Sequence, residues 1–167
     1  GPTGRSKTYT AKHWAALNNH GRTRYLRMSS STSRTSLLYQ LAAATGNGFA
    51  GRKNAELEAK LFATFTPRNV IIIDEAGHLL PRRGSMMGAI ELLRDIHDEC
   101  GCGIALLFTD VYLSVLHNGP LADYFEQFIG RLERELKIPP QPSAAETEAV
   151  VRSFAPDADA KLLRLAH

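Results

Sequence analysis

Gly1-Pro2-Thr3-Gly4-Arg5-Ser6-Lys7-Thr8 opens the sequence and follows G-x-x-x-x-G-K-[ST] at every fixed place but one, where Ser6 stands for the last glycine. A glycine-rich turn feeding a helix N-terminus aims successive N–H groups at a phosphate chain. A lysine then reaches the outer phosphate oxygens and a hydroxyl ligates Mg2+. Read this way, Gly1, Gly4, Arg5 and Ser6 form the cradle, Lys7 meets the phosphates and Thr8 meets the metal. Ser6 places a Cβ where the backbone comes closest to the ligand, at a cost of about 1 kcal/mol if its φ is positive. The same residues also describe a turn that simply caps a helix.

A second group decides between these readings. Val70-Ile71-Ile72-Ile73-Asp74-Glu75 is an apolar run ending in two carboxylates, the pattern of a buried strand that presents acids at its C-terminal end, where open α/β sheets bind ligands. Asp74 can hold Mg2+ through water and Glu75 can polarise an attacking water, two separate tasks in the hydrolysis of a phosphoanhydride. A solvated acidic turn would look similar in isolation. The two motifs in this order favour binding of a nucleotide with Mg2+. His97, Cys100 and Cys102 could offer three metal ligands, but no fourth is evident and a buried strand follows, so they read as structural. Tyr9, Trp14 and Tyr25 are spaced too irregularly for a stacking platform and read as core or adenine-pocket packing.

The elements that must position these groups follow from periodicity. Segments 23–28, 70–74, 103–108 and 135–138 read as strands, and apolar runs between turn residues suit a parallel sheet covered on both faces. Helical spacing occupies 8–19, 33–44, 54–65, 85–99 and 121–130, with Met86, Ile90, Leu93 and Ile96 on one stripe of the fourth. Helices and strands in alternation predict a wound α/β domain. The connection from 29 to 69 holds two helices instead of one, and the Ser29–Ser33 run reads as a loop that caps the first of them. The prolines at 139, 140 and 142 close the sheet-forming part, after which 143–154 and 157–166 read as a helical appendage.

Composition bounds the rest. At 167 residues with 44% hydrophobic and 22% charged, the chain is long enough for a real core without disulfides or a structural metal. Two cysteines at i,i+2 suit a reducing compartment, and no apolar run nears the ~20 residues of a spanning helix, so no membrane partner is expected. Residues 1–55 carry nine Lys and Arg with no Asp or Glu, whereas 56–167 carry eleven against seventeen. That asymmetry suits a polyanionic partner, although a solvated basic face has the same composition.

With GPTGRSKT followed by VIIIDEAGHLL after a strand and a two-helix excursion, the sequence resembles the AAA+ ATPases, and within them the bacteriophage MuB-like and TnsC-like transposition ATPases. The resemblance implies a three-layer αβα P-loop NTPase core with a parallel sheet over 1–140, then the start of a truncated helical lid over 141–167. Family members run a strand into the phosphate loop, so one is expected ahead of Gly1, outside this numbering. Carried over by position, the family implies Glu75 as the water-activating acid and Asp74 at Mg2+. It also implies Thr109 as a polar sensor near the γ-phosphate, a place that a strand-end threonine bonding its own backbone would equally fill. Arg131 would be offered to a neighbouring subunit's γ-phosphate, with Arg134 as the alternative, and Lys161 or Arg164 would be the sensing cation of the lid. Double-stranded DNA, gripped by its phosphates without base reading, a transposase, and self-association into an oligomer or helical filament are the implied partners, in the cytoplasm of a bacterial or phage-infected cell. Arg34, Arg52 and Lys53 on the excursion are the DNA-contact candidates, ahead of Arg22, Arg24 and Arg27, some of which flank a strand. A nucleotide-gated scaffold with little turnover, and a remodelling or signalling AAA+ ATPase that never meets DNA, are the alternatives.

Overall fold

The computed structural model describes residues 6–18, 20–29, 32–46, 48, 53–80, 88–118, 122, 126, 130–131, 134–139 and 141–161. Two compact units divide the chain, one of them Ser6–Leu132 and the other including Glu133–His167.

In the larger unit β1 (Thr23–Arg27), β2 (Val70–Asp74) and β3 (Gly103–Leu106) form a parallel sheet in the order β1-β2-β3. Tyr25 stands opposite Ile72 and Arg27 opposite Asp74 on one side, while Ile73 stands opposite Leu106 on the other. Four β-branched residues in a row make β2 the natural central strand, since it is buried on both faces. α1 (Lys7–Leu17), α2 (Arg34–Ala44), α3 (Asn54–Thr64), α4 (Gly88–Cys100) and α5 (Asp110–Asn118) surround it.

Side-chain alternation along β2 separates the layers. Ile71 and Ile73 join one apolar cluster with Leu37, Leu38 and Leu41 of α2, Leu57 and Leu61 of α3, and Leu92, Leu93 and Ile96 of α4. Ile72 points to the opposite face, where α1 packs on β1 and β2. The result is the three-layer αβα arrangement of a P-loop NTPase core. Ser33 caps α2 by accepting the Ser36 N–H at 3.1 Å, as the serine run predicts.

Three expectations are corrected. β3 is not covered on both faces, because Gly103 and Ala105 are exposed at an edge of the described sheet. Segment 135–138 forms no strand: Leu136 is exposed, and the segment belongs to the smaller unit, where no described strand can pair with it. α5 occupies a stretch where the sequence pattern predicts no helix, although Asp110 in its first turn and the Tyr112–Leu116 spacing suit one. Residues 85–87 and most of 121–130 lie outside the described residues. In the smaller unit α6 (Ala144–Phe154) starts at a reciprocal cap, Ser143 accepting the Glu146 N–H while the Glu146 carboxylate accepts the Ser143 N–H. Among the described residues no helix is long and apolar enough to cross a membrane.

Candidate functional site

Asp74 ends β2 on the face that Ile72 shares with α1, and it is only 2% exposed. A carboxylate that deep needs hydrogen-bond donors. Three elements supply them. The Thr8 hydroxyl, in the first turn of α1, donates to Oδ2 at 2.7 Å. The Tyr25 hydroxyl, on β1, donates to the same oxygen at 2.8 Å. The Glu75 backbone N–H donates to Oδ1 at 3.0 Å. Burial, then the bond to Asp74 and its negative charge, push the Tyr25 phenol well above the ordinary tyrosine range, so it remains a donor.

Backbone strain flanks this carboxylate. Among the described residues the positive-φ non-glycines are Ser6, at 52°, and Glu75, at 55°. Ser6 is the N-cap of α1 and its carbonyl accepts the Thr10 N–H, so the missing glycine is replaced at a left-handed position. Each such residue costs about 1–2 kcal/mol relative to a glycine, a cost typical of positions where geometry serves a ligand. Glu75 directs its side chain toward Arg27 at 3.8 Å, in a half-exposed ion pair.

The segment after β3 is tied to the same strand end. Leu107 donates its N–H to Ile73 O at 2.9 Å and accepts the Ala76 N–H at 3.0 Å. Thr109, two residues on, is half-buried and accepts the Tyr112 N–H through its carbonyl at 3.1 Å as α5 begins. Gly77, in the 3-10 turn Ala76–Leu79, lies so close under the Tyr112 ring that any Cβ there would overlap it.

The remaining predicted residues are scattered. Lys7 is the first residue of α1 and half-buried, next to Thr8. Gly1, Gly4, Arg5, Arg52 and Arg164 lie outside the described residues. Arg34 is tied down: its guanidinium donates to Glu58 and to Gly88 O, each at 3.2 Å, and reaches Asp95 at 4.0 Å. Lys53, the exposed N-cap of α3, faces solvent. Arg131 pairs with both carboxylate oxygens of Asp98, at 3.1 and 3.2 Å. Arg134 and Lys161 are exposed. His97 Nδ1 lies 2.9 Å from Cys102 O and Cys102 is fully buried, which gives this group its structural role. Tyr9 and Trp14 are not core residues, being 71% and 44% exposed on α1. Tyr25 is not mere packing, since its hydroxyl is bonded to Asp74. Its signal in the sequence was the strand period that puts residue 25 on the same face as Arg27.

The donor set fits Mg2+. A hydroxyl and a carboxylate oxygen lie side by side, and hard oxygen donors of this kind, completed by substrate phosphates, are what that ion takes. Among the described residues no cluster of three His, Cys, Asp or Glu offers a competing metal site. A parallel sheet with helices on both faces, an acid at the central strand's end and a hydroxyl at the facing helix's start define a P-loop nucleotide-binding domain. A family model described as an AAA domain matches residues 1–116 of the 167. The chain belongs to that family and is an AAA-type P-loop ATPase domain, a class that binds nucleotide, usually with Mg2+. No curated protein matches it in sequence.

Proposed function

We propose that this domain is an ATP-dependent DNA-binding AAA+ ATPase of the transposition target-selection type, which assembles on duplex DNA with ATP, activates a transposase and leaves the DNA on hydrolysis. The observation that carries the ATPase chemistry is the 2.7 Å bond between Thr8 and Asp74, residues 66 apart in sequence. It brings the start of α1 and the acidic end of β2 to one point, with Lys7 and Glu75 next to it in the chain. Lys7 meets the outer phosphates, while Thr8 and Asp74 hold the metal. When bound, Mg2+ neutralises charge that builds on the phosphate oxygens. Glu75 orients the attacking water and accepts its proton, and Arg27 restrains that carboxylate beforehand.

The DNA and transposase parts rest on the MuB-like and TnsC-like form of GPTGRSKT and DEAGHLL and on the basic first third of the chain. Because the charge of Arg34 is shared with Glu58 and Asp95, Arg52 and Lys53 carry the proposed phosphate contacts. Such contacts weaken steeply with salt and vary little with base sequence. Arg131 would exchange Asp98 for a neighbour's γ-phosphate on assembly. The left-handed Ser6 favours a second reading, a nucleotide-gated scaffold with little turnover.

Steady-state ATP hydrolysis with and without duplex DNA, beside Glu75→Gln, separates these readings. DNA-stimulated turnover that the variant loses supports the first. Tight ATP binding without turnover selects the scaffold, and turnover indifferent to DNA selects a remodelling or signalling ATPase.

A further inference from the structure

Tyr25 is not one of the groups that a phosphate loop or an acidic strand end requires, yet it is bonded to the acid on which the site turns. Its hydroxyl and that of Thr8 share one oxygen of Asp74, at 2.8 and 2.7 Å. A carboxylate oxygen has lone pairs for both. The two donors come from different elements, β1 and α1, and the Glu75 N–H holds the other oxygen. The carboxylate plane is therefore set from three directions, and Tyr25 is the only one of the three donors that neither ligates the metal in the proposed site nor belongs to the backbone. The register that pairs Tyr25 with Ile72 sets its ring on the α1 face of the sheet, where the Lys12 ammonium lies 5.7 Å from the ring centroid.

We propose that Tyr25 is a positioning residue for Mg2+: its phenol fixes the orientation of Asp74, so that the carboxylate and the Thr8 hydroxyl remain paired to receive the ion. The proposal rests on the nucleotide reading above. Thr8 alone does not suffice, because its oxygen must also face the metal, leaving a single shared hydrogen bond to hold Oδ2. Outer partners of this kind orient metal ligands, and losing one typically reduces metal affinity 10–100-fold.

The test compares wild type and Tyr25→Phe, which keeps the ring on the sheet and removes only the hydroxyl. ATP binding is followed by calorimetry in EDTA and then across a Mg2+ titration, with the melting temperature in EDTA recorded for both proteins. The expected result is a Mg2+ half-saturation point raised about 10–100-fold, with ATP affinity in EDTA within about twofold of wild type. A merely structural role would move the EDTA affinity and the melting temperature and leave the Mg2+ dependence alone, and that result overturns the proposal, as does an unchanged half-saturation point. Should wild type itself show no Mg2+ dependence, the nucleotide reading fails and the proposal falls with it; a normal wild-type response beside an unaltered variant removes the Tyr25 proposal alone.

Discussion

The two faces of the β-sheet are held to their helices by different means. On one, Ile71 and Ile73 meet leucines of α2, α3 and α4 that are almost wholly removed from water, and the helices that supply them keep ordinary backbone angles. On the other, Ala11 is the buried residue of α1, and Thr8 and Tyr25 reach Asp74 through hydroxyls, between two strained residues. Apolar burial is non-directional and stabilises the fold wherever volume is filled. Hydrogen bonds to a buried acid depend on angle and distance; they offset the cost of burying its charge and fix its direction. The contrast teaches that apolar burial is concentrated on the α2–α4 face and the candidate site lies on the α1 face, so the two should fail separately under mutation.

The sharpest break comes from Glu75→Gln, which leaves the polar face in place and removes the proposed base. Steady-state ATP turnover should fall by about 10²–10⁴-fold with little change in melting temperature. The opposite pattern belongs to Leu92→Ala in α4, where a fully buried side chain leaves a cavity. Chemical denaturation should show a loss of about 2–5 kcal/mol, while ATP affinity of the folded fraction holds. A Leu92 variant that instead lost nucleotide binding would mean that the faces are coupled.

A third effect reads the apolar side through pH. Burial pushes the Cys102 thiol up to about 11, with a smaller contribution from Cys100. The folded state then keeps a proton that the unfolded chain releases. The stability this gives is complete below the unfolded thiol's ordinary value and is lost as pH climbs through about 11. Equilibrium unfolding across that window should slope downward in wild type and less so in Cys102→Ala, and Cys102 should resist alkylation until the protein unfolds. The smallest expected change is Ser6→Gly, which relieves a left-handed Cβ. It should tighten nucleotide binding or raise stability by about 1 kcal/mol, measured by calorimetry and melting. No gain would mean that the loop tolerates the serine without strain.

Much of this contrast is legible in the sequence. The run Val70–Ile73 has only one comfortable place, a central strand, and the acids that end it point to the site. The stripe of Ile90, Leu93 and Ile96 in α4 likewise declares which side is apolar. What could not be read depends on pairings distant in sequence. Tyr25 looks like packing until the register places it beside Ile72, and its bond to Asp74 spans 49 positions. Arg34 reads as a DNA-contact candidate in a basic block, but Glu58 and Asp95, which neutralise it, lie on two other helices. Segment 135–138 carries a strand-like pattern with no described strand to pair with, and pattern alone does not supply a partner. Glu75 gives no sequence sign of its left-handed backbone, since glutamate rarely adopts it.

One energetic coupling would join the start of α1 to the tip of β2. Mg2+-dependent ATP affinity should be measured for wild type, Thr8→Val, Asp74→Asn and the double variant. If one metal-phosphate site joins the start of α1 to the tip of β2, each single change weakens binding and the double change costs less than the two together, with a coupling of about 0.5–3 kcal/mol. Strictly additive losses, or binding that neither substitution disturbs, would contradict it.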